Sequence, residues 1–328
     1  MEKFKLQIQN PPQVQIVMAV YNGSLYLKEQ IESIINQDYK NWQLLISDDN
    51  SNDDSVEIIN RYAAKDNRIK VVLKDSAFGN AGTHFLSLLK ITTSKYVMCS
   101  DQDDVWDSDK ITTCLSAMIQ EEAMSPDTPI LIHTDLRVVD SKLNRIADSF
   151  YKYSGINPNT STFEFHIATA NVTGCTMLIN DSLRDLIKLT NDDRYICMHD
   201  WWCSLIASAF GRIGFIDNQT ICYRQHENNT LGAQEKSLWN SIHRIEKLKA
   251  DTIKTIEQAE SFKEVYGSML SKKQITHLNS YIQLKSCSTI QVPINLNKAR
   301  VWRHNLRGNL GLIGTFILIS VTGSEIDS

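Results

Sequence analysis

Residues 98–110 read MCSDQDDVWDSDK, five carboxylates with Lys110 as the one base. Carboxylates crowded together repel, so the stretch calls for a solvated turn, a calcium loop or a site built for a hard cation. A calcium-binding helix-loop-helix needs glycine at the sixth position, glutamate at the twelfth and helices on both sides. Counted from Asp101, those positions hold Trp106 and Thr112, and the preceding YVMCS reads as a strand. The calcium loop is excluded. A plain acidic turn is compatible with Asp at strand ends, but Trp106 and Ile111 return the chain to a core soon after, and carboxylates pinned beside a core need partners. Elsewhere, His133 and Asp135 in HTDLRVVD could ligate a metal, although a lone His beside one Asp at the end of an apolar strand is more often structural. The seven cysteines are odd in number and form no C-x-x-C pair, which points away from a disulfide frame or zinc site and towards a reducing cytosol.

Strand and helix signals alternate through the first half and place these groups. VQIVMAV (Val14 to Val20) is a β-branched run ended by Asn22-Gly23, after which Ser24 can cap a helix whose Leu27, Ile31, Ile34 and Ile35 share one face. The unit repeats: strand Trp42 to Ser47 and helix Ser55 to Lys65, strand Ile69 to Leu73 and helix Thr83 to Ile91, then strand Tyr96 to Ser100 running into the acidic stretch. Such alternation predicts an α/β fold with a mainly parallel central sheet flanked by helices. Ligands of these sheets sit at the carboxyl ends of the strands, where AVYNG, SDDNSND and SDQDD all fall.

With 328 residues, 42% hydrophobic and 22% charged, the chain has the composition of a globular protein with a full-size core and an accessory region. The net charge is −4, yet from Ser237 onward twelve Lys and Arg face seven Asp and Glu, so the body is the acidic part. An acidic body argues against nucleic-acid binding. The N-terminal stretch MEKFKLQIQNPPQVQ lacks the apolar core of a signal peptide, and no apolar run reaches bilayer-spanning length. A cytoplasmic location is expected.

The segment IVMAVYNGSLYLKEQIESIINQDYKNWQLLISDDNSNDDS, followed by SDQDDVWDSDKI, MHDWW and YRQHENNTLG, resembles the inverting family 2 glycosyltransferases of the GT-A fold, and within them the bacterial rhamnosyltransferase-type enzymes of surface-polysaccharide synthesis. The similarity spans about residues 13–233 and rests on four motifs in order. It implies transfer of a sugar from a nucleotide-diphosphate donor, with L-rhamnose from dTDP-rhamnose the first expectation and a UDP-hexose the alternative. The acceptor would be a hydroxyl of a saccharide or lipid-linked glycan. A non-catalytic saccharide-binding assembly protein on the same fold is the competing class. A nucleotidyltransferase would open with a glycine-rich basic loop, which VYNGSLYL is not.

By that resemblance Asp101-Gln102-Asp103 matches the Asp-x-Asp motif, Asp103 contacting a divalent metal (Mn2+ or Mg2+) and Asp101 the metal or the ribose, with Asp104 a neighbour. Val20 and Tyr21 match the segment lying against the base, and Asp49 the acid that hydrogen-bonds it, while Asp48 caps the following loop. GNAG (Gly79 to Gly82) lacks dinucleotide-loop spacing and reads as a tight loop near the donor phosphates or sugar, which makes Asn80 a candidate. Inversion needs a base opposite the leaving diphosphate. Asp200 matches it at a helix start, with His199 the second candidate. ATANVTGCTMLIN (Ala168 to Asn180) matches the segment under the acceptor. Arg224 and His226 suit diphosphate oxygens.

The tail is expected to be separate: residues 1–236 form the catalytic domain and 237–328 a helical extension. Leu238, Ile242, Ile245 and Leu248 recur at helical spacing. Arg300, Arg303, His304 and Arg307 fall on one helical face, with Trp302 and Leu306 on another, ahead of LGLIGTFILISV. A basic helix with a short apolar segment can lie in the membrane interface; the alternatives are packing on the protein's own core and a homo-oligomer contact.

Overall fold

The computed structural model describes residues 11–73, 77–226, 241–302 and 306–323. In chain order these form β1 (Val14–Val20), α1 (Leu27–Ile35), β2 (Trp42–Asp48), α2 (Ser55–Lys65), β3 (Ile69–Val71), α3 (Ala81–Ile91), β4 (Tyr96–Ser100), β5 (Val105–Trp106), α4 (Lys110–Met124), β6 (Ile130–Val139) and β7 (Arg145–Ala147). Then follow α5 (Phe150–Ser154), α6 (Phe163–Ala168), β8 (Leu178–Asn180), α7 (Asp181–Ile187), α8 (His199–Phe210), β9 (Arg212–Arg224), α9 (Ser241–Tyr266), α10 (Lys272–Ile282), α11 (Gln291–Ala299) and α12 (Leu306–Gly323).

One sheet runs β3-β2-β1-β4-β8-β6-β9-β5, with β7 beside β6. Its first four strands are parallel. Beyond them β8 is antiparallel to both neighbours, β6 and β9 are parallel, and β5 is antiparallel to β9. The sheet is therefore mixed, its parallel half being the part that the βα alternation encodes. β1 is central because both faces are apolar. Ile16 and Met18 pack with Ile31 and Ile34 of α1, Ile59 of α2 and Leu115 of α4, whereas Val17 packs on the other side with Phe85 and Leu89 of α3 and Trp202 and Leu205 of α8. Burial of each such side chain stabilises the fold by roughly 1.5–3 kcal/mol.

Local differences from the sequence reading have physical reasons. Ser24 does not cap α1: the cap position is Tyr26, and the amide of Ser24 donates to Asp53 Oδ2 at 2.9 Å. The third strand stops at Val71, since Leu73 is in the left-handed region at φ 49°.

The expected domain border at 236/237 lies outside the described residues, as do Leu238 and residues 227–232 of the YRQHENNTLG motif. On either side of that gap the two parts share one core. Phe262 of α9 packs edge-on against Trp202 at 5.5 Å between ring centroids and lies 5.9 Å from Phe163. Thr190 Oγ1 accepts from Trp202 Nε1 at 2.9 Å and stands 3.1 Å from the Tyr266 hydroxyl.

The expected basic helix face from Arg300 to Arg307 is not formed. Arg300 sits at φ 59° as the left-handed cap of α11, so it and α12 belong to different helices, and Arg303 and His304 lie outside the described residues. In α12 the apolar run turns Leu312, Phe316 and Ile319 into the core, with Phe316 edge-on to Tyr281. No helix among the described residues is long and apolar enough to cross a membrane.

Candidate active site

β1 and β4 are adjacent and parallel, so their carboxyl ends deliver Tyr21 and the acidic loop to the same edge. The Gln102 side chain joins them: its Oε1 accepts from the Tyr21 amide at 2.9 Å and its Nε2 donates to the Tyr21 carbonyl at 3.0 Å. Gly23 permits this approach, because a Cβ there would stand 2.5 Å from Gln102 Oε1. Val20 is buried in β1 and Tyr21 is exposed beyond it, forming a rim with an aromatic ring.

At the end of β2, Asp48 caps the next loop by accepting from the amide and hydroxyl of Ser51 at 2.8 and 2.6 Å. Asp49 accepts from the amides of Phe78 at 2.6 Å and Gly79 at 3.0 Å. Its two oxygens thus tie down the loop before α3, each keeping lone-pair capacity for a further donor. Asn80 is the N-cap of α3, accepting from the Thr83 amide at 2.9 Å. That cap occupies its carbonyl oxygen, and its amide nitrogen also bonds Thr83, at 3.1 Å.

The acidic loop is held from below. Asp104 is buried, with Oδ1 accepting from the Arg224 amide at 3.2 Å and Oδ2 buried without a hydrogen-bond partner. Asp101, Asp104 and the Cys175 thiol each place one ligand atom within 4.8 Å of the others. Burial, with Asp103 and Asp200 nearby, pushes the Asp101 carboxyl up to about 7; burial and its acidic neighbours push Asp104 up as well. Burial and the same acids also push up the Cys175 thiol, which stays protonated beside Asp101 and Asp104. Two adjacent carboxylates that resist ionisation, one of them with an orphaned oxygen, fit a hard divalent cation.

Asp200, in the first turn of α8, stands near Asp101. Its Oδ2 accepts from the Gly174 amide at 2.9 Å and its Oδ1 from the Trp201 amide at 2.7 Å. Burial nevertheless raises its carboxyl to about 6. The short turn Gly174–Thr176 therefore bridges the two acid groups, Gly174 touching Asp200 and Cys175 facing Asp101 and Asp104. Glycine is required there, since a Cβ would lie 2.5 Å from His199 Nε2. His199 is buried, stacked on Phe85 at 4.2 Å, and burial lowers its pKa to about 3. It is a buried, neutral imidazole whose ring nitrogens have no hydrogen-bond partner among the described residues.

Arg224 and His226 stand differently against the expectation. Arg224 is buried, its Nε donating to the Asp103 carbonyl at 2.8 Å, Nη1 to the Ser141 carbonyl at 2.7 Å and Nη2 to Glu29, with Tyr26 stacked on the guanidinium at 4.3 Å. With its donors turned to its own chain, it supports the acidic loop and is not placed to grip a diphosphate. His226 is at the site: its Nε2 lies 2.8 Å from Asp103 Oδ2. His133 and Asp135 are structural. His133 Nδ1 bonds the Tyr151 hydroxyl at 2.9 Å, and Asp135 accepts from the amides of Leu136 and Phe150.

The family model for glycosyl transferase family 2 matches residues 15–187. The dTDP-rhamnosyl transferase RfbG of Shigella flexneri is 29% identical over 66% of this chain and 74% of its own length. The Escherichia coli enzyme WfgD, a UDP-Glc:alpha-D-GlcNAc-diphosphoundecaprenol beta-1,3-glucosyltransferase, is 32% identical over 33% of this chain and 41% of its own. Among solved structures, S. aureus TarS 1-349 with UDP-GlcNAc superposes with a TM-score of 0.53 at 14% identity, covering 95% of this chain and 92% of that one. The Pyrobaculum calidifontis mannosyltransferase PcManGT, with GDP-Man and Mn2+, gives 0.52 at 14% identity, covering 96% and 87%.

Proposed function

Since the chain belongs to glycosyl transferase family 2 and is a glycosyltransferase of GT-A fold, we propose that it moves L-rhamnose from dTDP-rhamnose, with inversion, to a hydroxyl of a saccharide or lipid-linked glycan at the cytoplasmic face of a bacterial membrane. The similarity to RfbG supports the donor, and the lipid-linked acceptor named for WfgD supports the second half. WfgD equally favours a UDP-hexose donor, because the residues offered to the base are common to both readings.

The observation that carries the proposal is the convergence of Asp101–Asp104 with Asp200 across the Gly174–Thr176 turn. In this reading Asp200 accepts the proton of the acceptor hydroxyl as its oxygen bonds the anomeric carbon. The bond from that carbon to the diphosphate breaks on the opposite face, and its electron pair leaves with the nucleotide diphosphate. The Gly174 and Trp201 amides orient the Asp200 carboxylate. Val20, Tyr21 and Asp49 hold the base, and Asn80 fixes the start of α3 beside them. Asp103 and Asp101, with His226 in reach of the same oxygen, would hold Mn2+ or Mg2+, which supplies positive charge to the departing diphosphate.

A donor panel of dTDP-rhamnose, UDP-glucose and UDP-GlcNAc, with and without Mn2+, tests the reading. Metal-dependent hydrolysis or transfer from dTDP-rhamnose supports it, preference for a UDP-sugar selects the alternative donor, and no turnover with intact donor binding returns the chain to a saccharide-binding role.

A further inference from the structure

The surface of the helical C-terminal part carries an open depression of about 550 Å³, none of whose lining residues belongs to the acidic site. Thr276 and the buried His277 of α10, Asn297 and Lys298 of α11, and Arg300 and Trp302 line it, all but His277 exposed. The volume suits a ligand of monosaccharide to disaccharide size.

Three observations define what would enter. The side chains of Lys298 and Arg300 have no hydrogen-bond or ion-pair partner among the described residues. The chain also offers them little: residues 265–324 contain seven Lys and Arg and no Asp or Glu. Where an acid does approach, it is taken, for Glu164 Oε1 of α6 stands 2.8 Å from His277 Nδ1. That imidazole is itself nearly fully buried in the wall of the depression, with the carboxylate off the line of a good hydrogen bond. Two uncompensated cations at one depression favour an anion, and the partly exposed indole of Trp302 beside them offers a flat apolar face for the ring or stem that carries it. Arg300 reaches this position by adopting φ 59°, a conformation that glycine takes at least cost.

We propose that this depression is a second binding site, for a phosphate group carried on a saccharide or on a lipid head group, with Lys298 and Arg300 gripping the phosphate oxygens and Trp302 covering the carrier. None of its residues belongs to the acidic site, and the proposal does not rest on the donor or the reaction assigned above.

The test uses the full chain and the Lys298→Glu/Arg300→Gly variant, the glycine chosen because it fits the left-handed backbone and so keeps the fold. Matched far-ultraviolet spectra and Tm establish that the variant is folded; Lys298→Gln alone serves if it is not. With UDP and Mn2+ present throughout, saturation-transfer NMR follows glucose 1-phosphate and glucose, and co-sedimentation follows vesicles of phosphatidylglycerol and of phosphatidylcholine. The expected result is saturable binding of an anionic probe and not its neutral counterpart, weakened about tenfold or more in the variant. Glucose 1-phosphate behaving so identifies a soluble phosphosugar; phosphatidylglycerol vesicles alone behaving so identifies a lipid head group. Equal binding by wild type and variant, equal binding of neutral and anionic probes, or no saturable binding overturns the proposal.

Discussion

Asp200 and Asp101 are both half-buried acids with raised pKa values, yet their partners separate their roles. Asp200 is solvated by two amides and sits at about 6, low enough to be ionised at neutral pH and high enough to accept a proton. A base must be deprotonated to work, so kcat/KM should fall as pH drops through about 6, and Asp200→Asn should abolish that limb along with most of the turnover. Asp101, at about 7 beside Asp103, gains in its charged form from a cation that offsets the neighbouring acids. Protons and metal compete there, so Mn2+ should raise Tm more at pH 7 than at pH 5. Asp103→Ala should remove that gain and the metal-dependent part of donor binding, with the fold intact. Equal Tm gains at both pH values, or unchanged donor affinity in Mn2+, would contradict this assignment. Asp101 and Asp103 were legible because their spacing is local. The segment holding Gly174 and Cys175 also stood out in the sequence, but its place between the two acid groups did not, because only the fold brings so remote a stretch there.

At the scale of elements, the acidic loop is a suspended structure. Gln102 ties it to β1, and Arg224 at the end of β9 reaches the Asp103 carbonyl, Ser141 and Glu29. In the sequence Arg224 is a cationic group suited to diphosphate oxygens. The structure buries it, since β9 runs between β6 and β5 and brings that end under the loop. Lysine keeps the charge but not the planar fork. Arg224→Lys should therefore cost roughly 2–4 kcal/mol of stability, most of it from the lost carbonyl bonds, read as a lower urea midpoint together with weaker Mn2+ binding. A variant as stable as wild type would show that the loop is held by other contacts. The parallel strands were legible from their apolar runs, whereas the antiparallel half was not, because strands as short as Val105–Trp106 and Leu178–Asn180 carry no period.

Over the whole molecule, the C-terminal helices are part of the core that positions α8. Phe262 lies against Trp202, two residues from Asp200. Phe262→Ala should lower stability by roughly 3–5 kcal/mol and reduce turnover by displacing the start of α8, while donor affinity in Mn2+ changes little. Loss of stability with turnover unchanged would show that the helices only cover the catalytic part. Helical periodicity runs through Arg300 in the sequence, but the backbone turns left-handed there and ends α11, and α12 is a separate helix from Leu306. No helix among the described residues is long and apolar enough to cross a bilayer, and one face of the apolar run packs on Tyr281 and its neighbours.

The most direct test of the central claim, that Asp200 is the base working opposite the acidic loop, is single-turnover transfer by Asp200→Asn at saturating donor and Mn2+. The account predicts donor affinity within about twofold of wild type and a chemical step slower by a factor on the order of a hundred or more. Transfer at close to the wild-type rate would contradict it.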